Sequence, residues 1–357
     1  LEDAGPRKAM FASAVCFGGG FLVSAVGVSL HQIWIVYLGY GVIGGIGLGI
    51  GYISPVSTLI KWFPDRPGMA TGLAIMGFGG GAMIGSPLAV ALMDHFATAT
   101  NAGVAATFVA MGIIYFAFMM FGVFTVRIPA PGWTPRSYTS PRLAHTGISQ
   151  PSVPRVGTPA GRSNAERRPV AKNVHVDDAI RTPQFWLVWA VLCLNVTAGI
   201  GVLGQASPMI QEMFPGVIEA GAAAGFVGLL SLANMAGRFV WSSASDGFGR
   251  KRIYMVYFAL GAILYAAVPA TGRAESVALF VLFYAIIMSM YGGGFATVPA
   301  YLRDLYGDMH VGAIHGRLLT AWSVAGVAGP VLVNYIREYQ IAHGVAKSDA
   351  YSTTMYI

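Results

Sequence analysis

Long apolar stretches alternate with short polar connections along the chain. Each stretch has at least 20 residues, and a helix of that length, rising about 1.5 Å per residue, crosses the roughly 30 Å hydrocarbon core of a bilayer. A helix also satisfies its own backbone hydrogen bonds, which lipid cannot do. The pattern predicts nine membrane-spanning helices, at residues 9–29, 33–60, 69–94, 103–127, 184–206, 219–244, 252–271, 276–301 and 314–336.

The composition excludes an ordinary soluble protein. Hydrophobic residues make up 55% of the 357 residues and charged residues only 10%, whereas soluble domains carry about 25% charged residues. The 47 glycines are typical of membrane helices that pack closely. We predict an all-α, multi-pass protein of the plasma (cell inner) membrane, with the lipid bilayer around it, acting as a monomer.

Positive charge is concentrated in alternate loops. Of 22 Lys and Arg residues, nine fall within residues 127–181, and others cluster at residues 7–8, 61–66 and 250–252. Because loops on the cytoplasmic side are enriched in Lys and Arg, these loops are predicted to be cytoplasmic. Loop 337–350 is the exception, with Arg337 and Lys347 on the opposite side. The net charge of +7 therefore indicates membrane topology, and we expect no nucleic-acid partner.

The two halves of the chain share landmarks at a nearly constant separation. Landmarks that recur in the same order predict an internal repeat, as in transporters built from two parallel bundles. At a separation of 244 residues the pairs are Gly5 with Gly249, Pro55 with Pro299, and Gly72 with Gly316, and Pro87 with Pro330 differs from them by one residue.

The repeat divides the chain into three parts. Residues 183–357 are expected to hold helices seven to eleven of a twelve-helix protein and the start of helix twelve. Residues 1–127 then form an incomplete first bundle with helices three to six, so that two helices would precede Leu1. Residues 128–182 are rich in proline, serine and basic residues and cannot build a packed core, so we expect a disordered cytoplasmic linker.

Several motifs carry a family resemblance. The DxxGRK pattern from Asp246 to Lys251, with a shorter copy from Glu2 to Lys8, resembles the signature of the major facilitator superfamily. Within it, KWFPDRPGMATGLA at 61–74, RTPQFWLVW at 181–189 and YGGGFATVPAYLRDLYG at 291–307 are similar to the oxalate/formate antiporter family. The resemblance implies two six-helix bundles, alternating access and transport of small organic anions. It also implies a conformational role for the two turns, through Asp246, Gly249, Arg250, Lys251, Glu2, Gly5, Arg7 and Lys8.

The sixth apolar stretch carries a single polar stripe. Ser231, Asn234, Arg238, Ser242 and Ser245 recur at helical spacing on an otherwise apolar helix. A cation inside a span usually faces a watery cavity or a partner, and a guanidinium group suits a carboxylate. We predict that Arg238 and Asn234 bind the substrate. In the alternative, Arg238 extends toward the cytoplasmic end of its helix.

Aromatic residues deep in the spans are further candidates. By spacing alone, such residues pack in the core or against lipid. The family resemblance implies that aromatic residues line the anion site, where they would keep the cavity dry and size-selective. The candidates are Tyr52, Phe78, Tyr291, Phe295 and Trp322.

Position 322 departs from the family pattern. The resemblance implies a lysine in the helix 314–336 that pairs with the site arginine in oxalate exchangers, and Trp322 holds its place here. A dianion facing one cation would keep an uncompensated charge in a low-dielectric cavity, which is costly. We therefore predict a monocarboxylate substrate.

Three alternatives concern mechanism and class. No Asp or Glu lies in the middle of a predicted span, which favours anion exchange, although His315 leaves proton-coupled symport open. A membrane sensor that binds a ligand without transporting it is the alternative from another class. We find no HExxH, GxSxG or P-loop motif and expect neither enzymatic activity nor a cofactor or metal site.

Overall fold

A computed structural model describes residues 5–130, 133 and 173–356. Counting α10 and α11 as one bent span, nine helices in this part of the chain are long and apolar enough to cross a membrane. The helices are α1 (Pro6–Ser29), α2 (Ile33–Trp62, with a π-helical segment Tyr37–Gly44), α3 (Pro67–Phe96), α4 (Val104–Thr125), α5 (Val176–Ala179), α6 (Pro183–Met213), α7 (Ala220–Phe248), α8 (Arg250–Arg273), α9 (Val277–Tyr306), α10 (Val311–Leu318), α11 (Thr320–Ala342) and α12 (Ser352–Tyr356).

The helix ends follow local chemistry. Proline occupies the first position of α1, α3 and α6, where its missing N–H would have no helical partner anyway. The Thr182 hydroxyl accepts a hydrogen bond from the Phe185 N–H at 3.4 Å and caps α6. Several helices run beyond the predicted apolar stretches, because helical hydrogen bonding continues into the polar interface.

The predicted internal repeat is present in the helix boundaries. Helices α1 and α8 begin 244 residues apart and end 244 residues apart. The same separation relates the ends of α2 and α9 and the starts of α3 and α10. Gly5 and Gly249, which precede α1 and α8, both have left-handed φ angles, of 76° and 88°, a conformation that favours glycine.

The basic loops lie at one end of the molecule, called here the basic end. It comprises the helix ends that carry Arg7, Lys61, Arg127 and Arg250. Arg7 Nε donates to the Val123 carbonyl at 3.0 Å, which places the start of α1 beside the end of α4. The sequence predicts that this end faces the cytoplasm.

At the opposite end of the molecule, nearby carboxylates neutralise Arg337. Arg337 Nε donates to Glu212 Oε2 at 3.1 Å, and Arg337 Nη1 donates to Glu338 Oε1 at 2.9 Å. Its guanidinium group also lies 5.6 Å from the Tyr351 ring centroid. Arg337 therefore does not contradict the charge pattern of the loops.

The prediction of a disordered linker over residues 128–182 does not hold at the C-terminal end of that segment. Residues 173–182 are ordered and pack on the second half, where the Val174 N–H donates to the Tyr306 carbonyl at 3.0 Å. The Thr182 and Tyr306 hydroxyls are 2.7 Å apart, and Val176 and Ala179 are buried. Apolar and polar contacts to α9 therefore order this segment. Residues 131–132 and 134–172 lie outside the described residues.

The hydrophobic core lies mainly in the second half and extends into the first half at Tyr52, Val56, Ile60 and Ile75. Helix α9 is the most enclosed span, and every residue from 290 to 300 is buried. Helix α7 packs against α9 within its own half and against α3 of the first half. This three-helix contact positions the candidate site.

Candidate substrate site

Arg238 is a buried cation that has no carboxylate partner in the described part of the chain. It is 2% exposed, its Nε donates to Asn234 Oδ1 at 3.0 Å, and its Nη1 donates to the Ile75 carbonyl oxygen of α3 at 3.3 Å. Within the described ranges, no Asp or Glu oxygen forms an ion pair with it. Neutral oxygens orient the guanidinium group but leave its charge available for an anion.

The predicted polar stripe on α7 is buried along its whole length, and it divides into two parts. Asn234 and Arg238 belong to the candidate site. One turn further, Ser242 Oγ donates to the Gly68 carbonyl of α3 at 2.6 Å, and Ser245 Oγ donates to the Ser242 carbonyl at 2.6 Å. The part of the stripe nearer the basic end therefore joins the two halves, through Ser242, and lies outside the candidate site.

Aromatic rings enclose Arg238. Its guanidinium carbon lies 5.3 Å from the ring centroid of Phe78 and 5.3 Å from that of Phe295, close enough for cation–π interactions. Tyr52 and Trp322 complete an aromatic cluster, defined as Tyr52, Phe78, Phe295 and Trp322. Its centroid distances are 6.0 Å for Tyr52–Phe78, 5.4 Å for Tyr52–Phe295, 6.3 Å for Tyr52–Trp322, 5.4 Å for Phe78–Trp322 and 5.1 Å for Phe295–Trp322.

The two halves contribute equally to the cluster. Tyr52 and Phe78 come from the first half, and Phe295 and Trp322 from the second. Phe78 and Trp322 are 244 residues apart and thus occupy equivalent positions of the repeat. Phe78 is 39% exposed whereas Arg238 is 2% exposed, so the cluster reaches the molecular surface at Phe78.

The site lies deep within the predicted spans. Arg238 and each ring of the aromatic cluster are ten or eleven residues from the basic end of their spans. At about 1.5 Å per residue this is about 15 Å along each helix, so Arg238 and the rings lie at a common depth well inside the predicted spans. Arg238 Nε donates to Asn234, one turn farther from the basic end, so in this conformation the side chain does not extend toward the cytoplasmic end of its helix.

Tyr291 lies beside the aromatic cluster and is not one of its rings. Its ring packs against Gly199 of α6, where even a methyl group would overlap it. It lies one turn before Phe295 on α9. The adjacent Gly292 allows α9 to approach α7, because a Cβ atom there would lie 2.5 Å from Asn234 Oδ1 and 3.1 Å from Arg238 Cγ.

Asp246 joins the two halves at the basic end. Its Oδ1 and Oδ2 atoms accept the N–H groups of Gly68 and Met69, both at 2.8 Å, at the start of α3. A carboxylate is favoured there because the helix N-terminus carries a partial positive charge. Arg250 fixes the carboxylate, with Nη2 2.6 Å from Asp246 Oδ1 and Nε 3.1 Å from Asp304 Oδ2.

The other residues of the two predicted turns lie elsewhere. Gly249 shapes the turn before α8, and Lys251 is exposed. In the shorter copy, Gly5 has the equivalent backbone conformation and Lys8 is exposed. Glu2 lies outside the described residues. Of the residues proposed for a conformational role, Asp246 connects the halves directly and Arg250 holds it in place.

Arg303 is a basic-end residue that sequence reasoning missed. It is 7% exposed and donates from Nη1 to the Pro64 carbonyl at 2.7 Å, between α2 and α3. It also pairs with Asp308. The charged pair Arg303 and Asp304 near the end of an apolar helix was the available signal, but the contacts to Pro64 and Arg250 join residues that are remote in sequence.

No metal site is evident in this part of the molecule. Across residues 5–130, 133 and 173–356, no group of three or more His, Cys, Asp or Glu side chains could hold a metal ion. The arrangement at Arg238 instead has the chemistry of a small anion site.

Comparison with known families identifies the fold. Residues 1–330 match the Major Facilitator Superfamily. The chain belongs to this superfamily. It is therefore a multi-pass membrane protein of a transporter family, and its repeat is that of the superfamily fold.

Two relatives from different organisms match most of the chain. Over 334 residues this chain is 25% identical to the oxalate:formate antiporter of Oxalobacter formigenes, and the match covers 92% of this chain and 68% of the relative. Over 345 residues it is 24% identical to apicoplast pyruvate carrier 1 of Toxoplasma gondii, covering 85% of this chain and 60% of the relative. The chain thus spans about two thirds of the length of these relatives.

Solved structures agree on the fold. The fucose:proton symporter of Escherichia coli superposes with a TM-score of 0.63 at 12% identity, covering 98% of this chain and 81% of that chain. A proton:xylose symporter superposes with a TM-score of 0.59 at 15% identity, covering 99% and 78%. Likeness at these identities establishes the major facilitator fold alone.

Proposed function

We propose that this protein exchanges small organic anions, preferably monocarboxylates, across the plasma (cell inner) membrane by alternating access. The observation that carries the proposal is Arg238, a buried arginine deep within its span that has no carboxylate partner among the described residues. A bound carboxylate would supply the missing negative charge through a bidentate pair. Asn234 orients the cation, and the aromatic cluster with Tyr291 limits the size of the anion.

A single cation favours a monoanion. Trp322 contributes a neutral ring to the aromatic cluster, and Arg238 is the one cation in contact with the cluster among the described residues. A dianion would retain one unpaired negative charge in an apolar surrounding, at a high desolvation cost. The substrate names of the oxalate:formate antiporter and the pyruvate carrier are consistent with small carboxylates as the substrate class.

Exchange is favoured over proton symport by the position of the acidic residues. In the described part of the chain every Asp and Glu inside a long helix lies near a helix end, as Asp94, Glu212 and Asp304 illustrate. A carboxylate relay through the middle of the membrane therefore has no acidic group there to use. Return of the carrier with a second anion needs no such relay.

The test is counterflow in liposomes. Purified protein is reconstituted in vesicles loaded with unlabelled anion, and uptake of labelled formate, lactate, pyruvate and oxalate is followed. We expect exchange of monoanions at least tenfold above that of oxalate, because 1.4 kcal/mol of uncompensated charge already gives about tenfold.

Arg238→Gln supplies the control for the site. The glutamine side chain retains hydrogen-bonding capacity but lacks the charge, so exchange should fall to the level of empty vesicles. Oxalate exchanged as fast as formate would contradict the single-cation model. Full activity of Arg238→Gln would show that Arg238 does not bind the substrate.

A further inference from the structure

Two buried polar atoms near the aromatic cluster lack hydrogen-bond partners among the described residues. They are the Tyr52 hydroxyl and His315 Nε2, on residues that are 8% and 2% exposed. The two ring centroids are 5.6 Å apart. Because an unpaired buried polar group costs free energy, most such atoms in proteins are paired. These two atoms therefore need a partner that another state of the protein supplies.

The surroundings offer no substitute partner. The space beside His315 is lined by one further polar side chain, Ser57, whose hydroxyl already donates to the Ser54 carbonyl at 3.1 Å. The other lining residues are glycine or apolar. The space is too small for a water molecule in this conformation. Both unpaired atoms are also shielded from solvent in this conformation.

Tyr52 and His315 come from opposite halves of the molecule. Tyr52 belongs to α2 and also to the aromatic cluster, whereas His315 belongs to α10. His315 is four residues from the basic end of its span and Arg238 is ten residues from that of α7. Tyr52 is ten residues from the basic end of α2, level with Arg238, so the pair extends from the depth of Arg238 toward the basic end, where the halves must separate when that end opens.

We propose that the Tyr52 hydroxyl and His315 Nε2 form a second binding station, which receives the substrate carboxylate when the basic end is open. With its proton on Nε2, His315 donates one hydrogen bond and Tyr52 donates the other, which matches the two oxygens of a carboxylate. Two neutral donors hold an anion less tightly than Arg238 does, so the station favours passage between Arg238 and the basic face. This inference rests on the proposed anion transport.

The test measures apparent affinity separately at the two faces of the membrane. Vesicles of known protein orientation report the KM for labelled formate at the basic face and at the opposite face. For Tyr52→Phe and His315→Leu, we expect the KM at the basic face to rise about three- to tenfold, the effect of one lost hydrogen bond. For His315→Leu the KM at the opposite face should change by less than about twofold, because neither Arg238 nor the aromatic cluster is altered.

Two further variants separate a binding role from a structural one. His315→Gln retains an N–H donor and should restore much of the affinity at the basic face. Ser57→Ala removes the neighbouring hydroxyl, which bonds to its own helix, and should leave both KM values unchanged.

Three outcomes would overturn the station. Unchanged KM values at both faces in Tyr52→Phe and His315→Leu would show that the two atoms do not bind substrate. A rise at the basic face matched by a fall at the opposite face would mean that the substitutions only shift the equilibrium between the two states. Loss of affinity at the basic face in His315→Leu, without recovery in His315→Gln, would mean that His315 acts only through its packing. Absence of exchange in the unmodified protein would instead refute the proposed function.

Discussion

At the residue scale, the character of the site follows from the partners that Arg238 lacks. Asn234 and Ile75 offer it neutral oxygens, and Phe78 and Phe295 offer ring faces. These contacts hold a cation in place without neutralising it, because neutral dipoles and ring quadrupoles compensate only part of a buried charge. Arg238 is thus an unneutralised positive charge among the described residues around it, in an apolar surrounding where the proposed anion would bind most strongly.

Trp322→Lys tests whether the number of cations sets the charge of the substrate. The Trp322 ring contacts Phe78 and Phe295, the two rings that flank Arg238. A lysine there adds a second cation, so oxalate counterflow should rise at least about tenfold relative to formate, since one compensated charge is worth more than 1.4 kcal/mol.

Trp322→Gln is the matched control, because it removes the ring without adding charge. It should enlarge the site and slow exchange of every anion without favouring oxalate. If the lysine and glutamine variants have the same ratio of oxalate to formate exchange, then size and not charge selects the anion.

At the element scale, closure of the basic end depends on how closely α3 approaches α7. A Cβ atom on Gly72 would lie 2.6 Å from the Arg238 carbonyl oxygen and 3.1 Å from Ser242 Cβ, whereas one on Gly77 would meet nothing within 4 Å. Both glycines are interior to the same helix. They therefore provide a matched pair in which only the helix contact differs.

Gly72→Ala should destabilise the protein, and Gly77→Ala should not. An added methyl group in a tight contact costs about 1–3 kcal/mol, while alanine improves helix propensity by up to about 1 kcal/mol. Thermal unfolding in detergent should show a lower melting temperature for Gly72→Ala and an equal or higher one for Gly77→Ala. Equal melting temperatures in both variants would argue against close α3–α7 packing.

Asp246→Asn should open the basic end. The substitution removes the ion pair with Arg250 and the negative charge at the start of α3, and hydrogen bonds to charged groups contribute about 1.5–3 kcal/mol. A cysteine at Thr71, which is fully buried beside Ser242, reports the opening. Its labelling by a polar thiol reagent should accelerate about tenfold or more.

Asp65→Asn is the control for that measurement. Asp65 lies in the same region between α2 and α3, and its ion pair with Arg66 is long, at 4.0 Å. It should leave labelling of the Thr71 position unchanged. Equal acceleration by both variants would mean that charge at the basic end acts non-specifically.

The sequence predicts helices better than it predicts helix contacts. The α3 span was foreseen within two residues at each end, because an uninterrupted apolar run has few other solutions in lipid. The π-helical segment Tyr37–Gly44 was not foreseen, since it arises where Gly39 packs tightly against Gly20 and Ser24 of α1. Such packing involves partners distant along the chain and leaves no local periodicity.

The candidate site shows the same limit. Arg238 and Asn234 could be proposed from one helical stripe, because a buried cation is conspicuous in an apolar helix. The hydrogen bonds from Gly68 and Met69 to Asp246 join residues more than 170 positions apart, and no spacing rule connects them. The order within residues 173–182 was missed for a related reason, since it comes from docking onto α9 and not from composition.

At the scale of the whole molecule, the described conformation is closed at the basic end. Asp246, Ser242 and Arg303 of the second half all bond to backbone groups between Pro64 and Met69 of the first half. Backbone acceptors and donors form a contact that can break and reform without leaving a buried charge unpaired, since water can replace each partner once the halves separate. Alternating access would require this set of bonds to release together.

A disulfide across the basic end tests that requirement directly. A Cβ atom on Gly312 would lie 3.6 Å from Ser57 Cβ, within the roughly 3.5–4.5 Å range that disulfides need. With Cys16 and Cys193 replaced by alanine, the double variant Ser57→Cys and Gly312→Cys should form a bond between the halves upon oxidation. Exchange should then stop, because the basic end can no longer open, and a reducing agent should restore it. The single-cysteine variants should transport equally in both conditions. Undiminished exchange by fully cross-linked protein would mean that the halves need not separate between α2 and α10, and that the path to the basic face lies elsewhere.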